Sequence, residues 1–318
     1  SQQSGKGTDL IMRWGEKRYH SLDYELKQMF KEKVYKIALN GGMTCPNRDG
    51  HVGTGGCIFC SSQGSGDFAG SARLSIAEQI RQGKADISSK RPVHSYIAYF
   101  QAFTNTYAPV ETLRALYMEA IADPEVKILS IATRPDCLGA DVLALLDEIN
   151  QIKPVWVELG LQTIHPETSA YIRRGYELSV FEQAVKELRA IGITVIVHTI
   201  LYLPGETKDD MLDTIHYLNH MDIQGIKLQL LHVLTHTDLA ADYEKHPFYI
   251  PDMQDYIQFL GTCIAHLNPE IVIHRLTGDG PKDLLIAPLW TSNKRTVLNQ
   301  LHSHLKEQDI WQGKEYYV

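Results

Sequence analysis

Cys45, Cys57 and Cys60 lie in one stretch, CPNRDGHVGTGGCIFC, and account for three of the chain's five cysteines. Three thiols cannot close into pairwise disulfides, and they fall one short of a four-thiolate cage. Three thiolates on a four-iron four-sulfur cluster leave one iron without a protein ligand, and that iron can chelate the amino and carboxylate groups of a small molecule. The loop also holds Gly50, Gly53, Gly55 and Gly56, so its backbone can fold tightly around a compact object. Zinc is the competing occupant, because His51 lies midway and three cysteines with one histidine form a structural zinc set. The pattern C-x11-C-x2-C offers one short clip where zinc knuckles present two, and Phe59 inside the clip suits a centre that needs an apolar cover.

The 318-residue chain is long enough to bury a large core, as one big domain or two small ones. Its net charge of −7 excludes a general coater of polyanions, which needs a surplus of Lys and Arg. Local basic faces are still available in KQMFKEKVYK (27–36), IRRGY (172–176) and NKR (293–295). No apolar run approaches the roughly 20 residues of a membrane span. Residues 1–15 lack the apolar core of a secretory signal and read as a loose tail. The odd, sparse cysteines point to a reducing cytoplasm rather than a disulfide-stapled secreted fold.

The elements that must hold the loop alternate in type. β-Branched apolar runs recur at VYKIAL (34–39), SYIAYFQ (95–101), KILSIAT (127–133), VWVELGL (155–161), TVIVHTILYL (194–203) and IKLQLLHV (226–233). Their continuous hydrophobicity is that of strands buried on both faces. Between them lie helical stripes: Leu113, Leu116, Tyr117, Ala120 and Ile121; Phe181, Ala184, Val185 and Leu188; Met211, Leu212, Ile215 and Leu218. Ser179 suits the N-cap of the second stripe and Gly192 its stop. Six strand–helix units require a parallel sheet, two units short of a full TIM barrel. The expected fold is α/β: an open, partial (β/α)6 barrel over residues 33–235, preceded by a tail and lead-in helix (1–32). A C-terminal α/β extension (236–318) is expected to pack on the barrel. It holds a long helix, an apolar strand EIVIHRL and a helix around KRTVLNQLHSHL. In such barrels the working residues sit where strands end and loops begin.

Three cysteines ending in a short clip after strand one, within a partial barrel, resemble the radical S-adenosylmethionine (radical SAM) superfamily. The runs CPNRDG, GGCIFCSSQGSG, YFQAFTNTYAP, ATRPDCL, WVELGLQT, YLPGET and HRLTGDGP are similar to its subgroup related to the Elongator catalytic subunit, and to stand-alone bacterial YhcC/YtqA-like proteins. The first cysteine gap is longer than in the commonest superfamily pattern, where three residues separate the first two ligands. The resemblance implies a 4Fe-4S cluster on Cys45, Cys57 and Cys60, and S-adenosylmethionine as the second cofactor. It also implies an electron donor such as flavodoxin or ferredoxin.

The resemblance further implies where the second cofactor is held. Gln101, at the end of YFQ, is the candidate for the methionine ammonium, although the acidic residue usual in that motif is absent. Glu158 and Gln162, polar residues at the end of an apolar strand, are either cofactor contacts or satisfied core hydrogen bonds; unpaired burial would cost each about 1–3 kcal/mol. Arg174, expected in the helix after that strand, matches the arginine that binds the methionine carboxylate, and helical geometry lets only one of Arg173 and Arg174 point inward. His198 stands where relatives carry an acid toward the ribose, or is a core histidine. The Leu203–Glu206 turn shapes the adenine edge.

The spare thiols, Cys137 and Cys263, are too few for a second cysteine-ligated cluster. Cys137 is a hydrogen donor facing the chamber or a packed small residue. His274, Arg275, Asp279, Lys282 and Lys294 belong to a lid over a polar substrate or to the flanks of a Gly/Pro turn. By resemblance the substrate is tRNA, with conversion of a carboxymethylaminomethyl group on the wobble uridine to the aminomethyl form. The alternatives are a radical SAM enzyme for a small metabolite such as a tetrapyrrole, and a zinc-stabilised RNA-binding module without catalysis.

Overall fold

All six apolar runs form strands in the computed structural model, which describes residues 13–53, 55–60, 70–101, 103–278 and 280–317. Residues 1–12 of the expected tail and Asp279 of the expected lid lie outside the described residues. The strands are β1 (Tyr35–Leu39), β2 (Tyr96–Phe100), β3 (Val126–Thr133), β4 (Val155–Gln162), β5 (Thr194–Leu201) and β6 (Gly225–Leu230). Their order in the sheet follows the chain, as in a partial (β/α)6 barrel. β2 is buried along its whole length, which explains why its sequence shows no polar alternation.

Two segments differ from expectation. EIVIHRL does not stay in a separate extension. It supplies β8 (Val272–Arg275), a seventh strand that pairs parallel with β6, Gly225 opposite Val272. Ile271, Val272 and Ile273 are all buried, as a strand inside a parallel sheet requires. IKLQLLHV, read as one strand, splits at His232. Its end becomes β7 (Val233–Leu234), which pairs antiparallel with β9 (Leu285–Ala287). Gly278 and Gly280 of the GDGP turn let the backbone close on the His232 ring; a Cβ at Gly278 would lie 2.2 Å from its Nε2. The segment expected as a lid or as the flanks of a Gly/Pro turn supplies β9 of this ribbon, and Lys294 opens a terminal helix (Lys294–Glu307).

The helices bury the stripes expected of them. α1 (Leu22–Phe30), α2 (Ile76–Ser88), α3 (Val110–Ile121), α4 (Ala140–Asn150), α5 (Pro166–Tyr171), α6 (Leu178–Ala190) and α7 (Lys208–Asn219) precede or alternate with the strands. α3 buries Leu113, Tyr117, Ala120 and Ile121, and α6 buries Phe181, Ala184, Val185 and Leu188. Leu116 and Leu212 are half-buried. The N-cap of α6 is Glu177, not Ser179, so the helix begins two residues earlier than its best capping side chain. Its end is as expected. Gly192 takes φ +78°, its N–H reaches the Arg189 carbonyl, and the Ile193 N–H reaches Leu188, a complete Schellman stop.

The chain divides into two compact units. One comprises residues 30–161 and 170–197, with a core of Ile97, Phe100, Ile128, Leu129, Val157 and Phe181. The other comprises residues 1–29, 162–169 and 198–318, with a core built on α8 (Met253–His266) and the terminal helix, where Tyr256, Leu260, Ile264, Leu301 and Leu305 are sealed. No helix among the described residues is long and apolar enough to cross a membrane.

Candidate functional site

The three cysteines share a loop that follows β1 and is tied down by its own backbone. The N–H groups of Arg48 and Asp49 turn back onto the Cys45 carbonyl at 2.9 and 3.1 Å, and the Gly56 N–H reaches the Asn47 carbonyl at 2.8 Å. The Cys60 N–H closes the clip onto the Cys57 carbonyl at 3.1 Å. Asn47 is the organiser. Buried to 5% exposure, its side-chain amide donates to the Arg173 carbonyl at 2.7 Å and lies 3.7 Å from the Cys57 Sγ. Gly53 must be glycine for this, because a Cβ there would lie 2.5 Å from the Asn47 Oδ1. The Ile58 N–H reaches the Ile172 carbonyl at 3.1 Å, so the clip is stitched to the turn that carries Arg173 and Arg174. Ile58, rather than Phe59, is the buried apolar residue of the clip.

Positive charge surrounds the thiols. The hydrogen bond from Cys57 pushes the Cys60 thiol down to about 7; burial opposes this, and the Arg48 guanidinium assists it. The same bond, with burial and the Cys60 charge, pushes the Cys57 thiol well up. Arg134, from the end of β3, grips Asp136 with Nε and Nη2, both at 2.9 Å. Burial would weaken its guanidinium, but Asp136 and the nearby Cys45 and Cys57 outweigh that and push its pKa up. Arg134 and Arg174 both lie over the Tyr176 ring, at 5.2 and 4.6 Å from its centroid. A cleft of about 600 Å³ beside the loop is lined by Thr44, Pro46, Val52, Tyr107, Asp136 and Cys137. Burial, then Asp136, pushes the Cys137 thiol up, so it stays protonated at neutral pH.

Arg174 is not in a helix. α5 stops at Tyr171, Arg173 takes φ +57° and is exposed, and Arg174 follows it inward at 4% exposure. The selection between the two arginines comes from this left-handed turn rather than from helical periodicity. Arg174 donates from Nη1 to the Leu161 carbonyl at 2.9 Å and from Nε and Nη2 to the Tyr176 carbonyl at 3.2 and 3.0 Å. Gln101 follows β2 at 9% exposure, its N–H on the Leu39 carbonyl at 3.2 Å. Glu158 is sealed at 1% exposure. Its carboxylate accepts from the Tyr99 hydroxyl at 3.0 Å and the Ser130 hydroxyl at 3.1 Å.

Gln162 and His198 belong to the other compact unit. Gln162 ends β4 with φ +67°, and His198 is half-buried on β5. In that unit the Leu203–Glu206 segment forms a turn with the Glu206 N–H on the Leu203 carbonyl and Gly205 at φ +85°. Thr163 donates to Glu206 at 2.6 Å, and burial pushes the Glu206 carboxyl up. Thr207 and Asp210 then form a reciprocal capping box that starts α7.

Residues 47–218 match the radical SAM superfamily, and residues 223–307 match the Radical_SAM C-terminal domain. This chain belongs to the radical SAM superfamily. It is 45% identical over 299 residues to YtqA of Bacillus subtilis, covering 94% of this chain and 93% of that protein. It is 37% identical to YhcC of Escherichia coli K12, covering 90% and 92%. Among solved structures, Elp3 of the archaeon Methanocaldococcus infernus superposes with a TM-score of 0.67 at 14% identity over 88% of this chain. The chain spans 64% of that Elp3 chain. Coproporphyrinogen III oxidase (HemN) of E. coli superposes with a TM-score of 0.51 at 16% identity, covering 75% of this chain and 56% of that one. These structural likenesses show the fold.

Radical SAM enzymes use a 4Fe-4S cluster and S-adenosylmethionine and need a reductant, and these are the requirements of this chain. The cysteine loop fits a cluster better than one zinc ion. His51, the fourth zinc ligand in the competing reading, is turned elsewhere, with Nδ1 at 2.8 Å from the Tyr107 hydroxyl and 3.0 Å from Asp49. Asn47, Arg48, Arg134 and Tyr176 were not singled out by sequence reasoning. All four lie inside the motifs CPNRDG, ATRPDC and IRRGY, where polar residues beside a ligand or at a strand end were the available signal.

Proposed function

We propose that this radical SAM enzyme acts on tRNA, converting the carboxymethylaminomethyl group at carbon 5 of the wobble uridine to aminomethyl. Its chief support is the resemblance of its motifs CPNRDG, YFQAFTNTYAP, ATRPDCL and WVELGLQT to the Elongator-type domain. Cys45, Cys57 and Cys60 hold the cluster. Arg174 takes the methionine carboxylate and Gln101 the ammonium. Arg48 and Arg134 add positive charge beside the thiolates, which favours their deprotonated form. Cys263 is fully buried, which agrees with single-cluster chemistry.

The bound cofactors supply a 5′-deoxyadenosyl radical by one-electron reductive cleavage of the sulfonium. A hydrogen atom leaves the methylene between nitrogen and carboxylate, giving a carbon radical that the nitrogen stabilises. That radical loses one electron to a one-electron acceptor of the iron–sulfur or flavin class and one proton to solvent, forming an imine. Water then cleaves the C=N bond. In sum, side chain, S-adenosylmethionine and water give the aminomethyl group, glyoxylate, methionine, 5′-deoxyadenosine and a proton. The electron that starts the cycle is recovered.

The net charge of −7 favours a second reading, a small-metabolite substrate. Mass spectrometry of wobble-uridine nucleosides from deletion and parent cells separates the two. The deletion strain is expected to accumulate the carboxymethylaminomethyl form, and unchanged nucleosides would overturn the tRNA reading.

A further inference from the structure

The sheet face turned away from the helices carries a polar patch where a closed barrel is filled with branched apolar side chains. Ile37 of β1 packs on α2, where a Cβ at Gly83 would lie 2.4 Å from it, and Phe100 of β2 meets Tyr117 of α3 edge-on at 5.5 Å. Side chains alternate along a strand, so Lys36 and Tyr99 point to the opposite face. Ser130 stands beside Tyr99 in register, and Glu158 reaches both.

Lys36 Nζ lies 3.9 Å from the Glu158 carboxylate and 5.0 Å from the Tyr99 ring centroid. The Glu158 side chain has no solvent access, whereas that of Lys36 is 25% exposed. At 3.9 Å the separation exceeds a charge-assisted hydrogen bond of about 2.8 Å, so Glu158 holds the ammonium by charge. A carboxylate held by two core hydroxyls is a fixed anchor. The ammonium in front of it is a compact cation with rotatable donors and access to solvent.

We propose that Lys36 is the specificity residue that selects the anionic end of the substrate side chain, and that Glu158, fixed by Tyr99 and Ser130, positions it. This rests on the tRNA reading, in which the group to be removed ends in a carboxylate. Lys36 is absent from every motif that carries the family resemblance. The cation pairs with the substrate carboxylate and so sets the adjacent methylene at one depth in the barrel. An uncharged terminus gains no charge pairing from Lys36.

The test uses the reconstituted holoenzyme with two synthetic anticodon stem-loops, one bearing the carboxylate and one its primary amide. The readout is the ratio of kcat/KM for the two within each protein, which loss of fold or cluster lowers equally. The wild type is expected to prefer the carboxylate by about 100-fold. Lys36→Met is expected to abolish that preference, chiefly through KM for the carboxylate, and Lys36→Arg to restore part of it. A wild type that treats both stem-loops alike, or a Lys36→Met protein that keeps the preference, overturns the role of Lys36 alone. A wild type that converts neither overturns the tRNA reading and this inference with it. The wild-type comparison needs no mutant to fold.

Discussion

Buried polar side chains serve different ends in the two compact units. In the unit with the cysteines they include two arginines that stand together. Arg134 and Arg174 are 9% and 4% exposed, share the Tyr176 ring, and sit in the field of the thiols. In the other unit, among the described residues, most are threonine and serine hydroxyls and one, Lys227, is charged, while the amides Asn219 and Gln312 are occupied with backbone. Gln312 accepts from the His20 N–H at 2.7 Å and donates to the Ile271 and Asn268 carbonyls at 2.7 and 2.9 Å. Asn219 spans the His266 carbonyl and the Asn268 N–H, both at 2.8 Å. An amide satisfied at both atoms fixes chain geometry and adds no net field. Burying a guanidinium costs several kcal/mol before its partners compensate, so two of them around one ring mark a place prepared for anions.

Replacing the cysteines should break this contrast most sharply. Cys45→Ala, Cys57→Ala or Cys60→Ala is expected to bring cluster iron and 5′-deoxyadenosine formation to background, measured by iron analysis and chromatography. Cys263→Ala, in the other core, should keep both and lower stability alone. Retained iron in any of the three loop variants would end the assignment.

A smaller effect separates Arg174 from Gln312. Arg174→Ala is expected to raise KM for S-adenosylmethionine roughly 100-fold. Gln312→Ala, which strands buried carbonyls, should cost about 1–3 kcal/mol in denaturant unfolding and leave kinetics per folded molecule unchanged. Equal KM values in the two variants would erase the distinction between field and framework.

The smallest effect concerns Glu206. Burial raises its carboxyl above the ordinary carboxylate value, so the native state holds its proton to higher pH than the unfolded chain does. Its contribution to stability is complete below the unfolded-state pKa and declines as pH rises through the folded-state pKa. Glu206→Gln should flatten the pH dependence of the unfolding midpoint over that window, and an unchanged slope would assign the trend to other groups.

Six strands, their order and the buried stripes on α3 and α6 could be read from the chain, because an apolar run buried on both faces leaves a continuous signature. The three loop cysteines were equally visible, being both rare and closely spaced. Other features were not. EIVIHRL reads as an apolar strand, but no local signal says that it joins β6. The N-cap of α6 falls on Glu177 although Ser179 is the better capping residue. Arg174 lies beyond a helix that ends three residues earlier, and Lys36 looks like one of several solvated lysines in KQMFKEKVYK.

Residue types and spacings by themselves determined the kinds of element, the superfamily and the thiol set, since periodicity and ligand chemistry are local properties. Tertiary structure decided which charges act together. Asn47 stitches the loop to the Arg173 turn, Tyr176 brings two arginines together, and Glu158 faces Lys36 across three strands. Each pairing joins residues far apart in the chain, and its strength depends on a distance and a degree of burial that exist only once the sheet has formed.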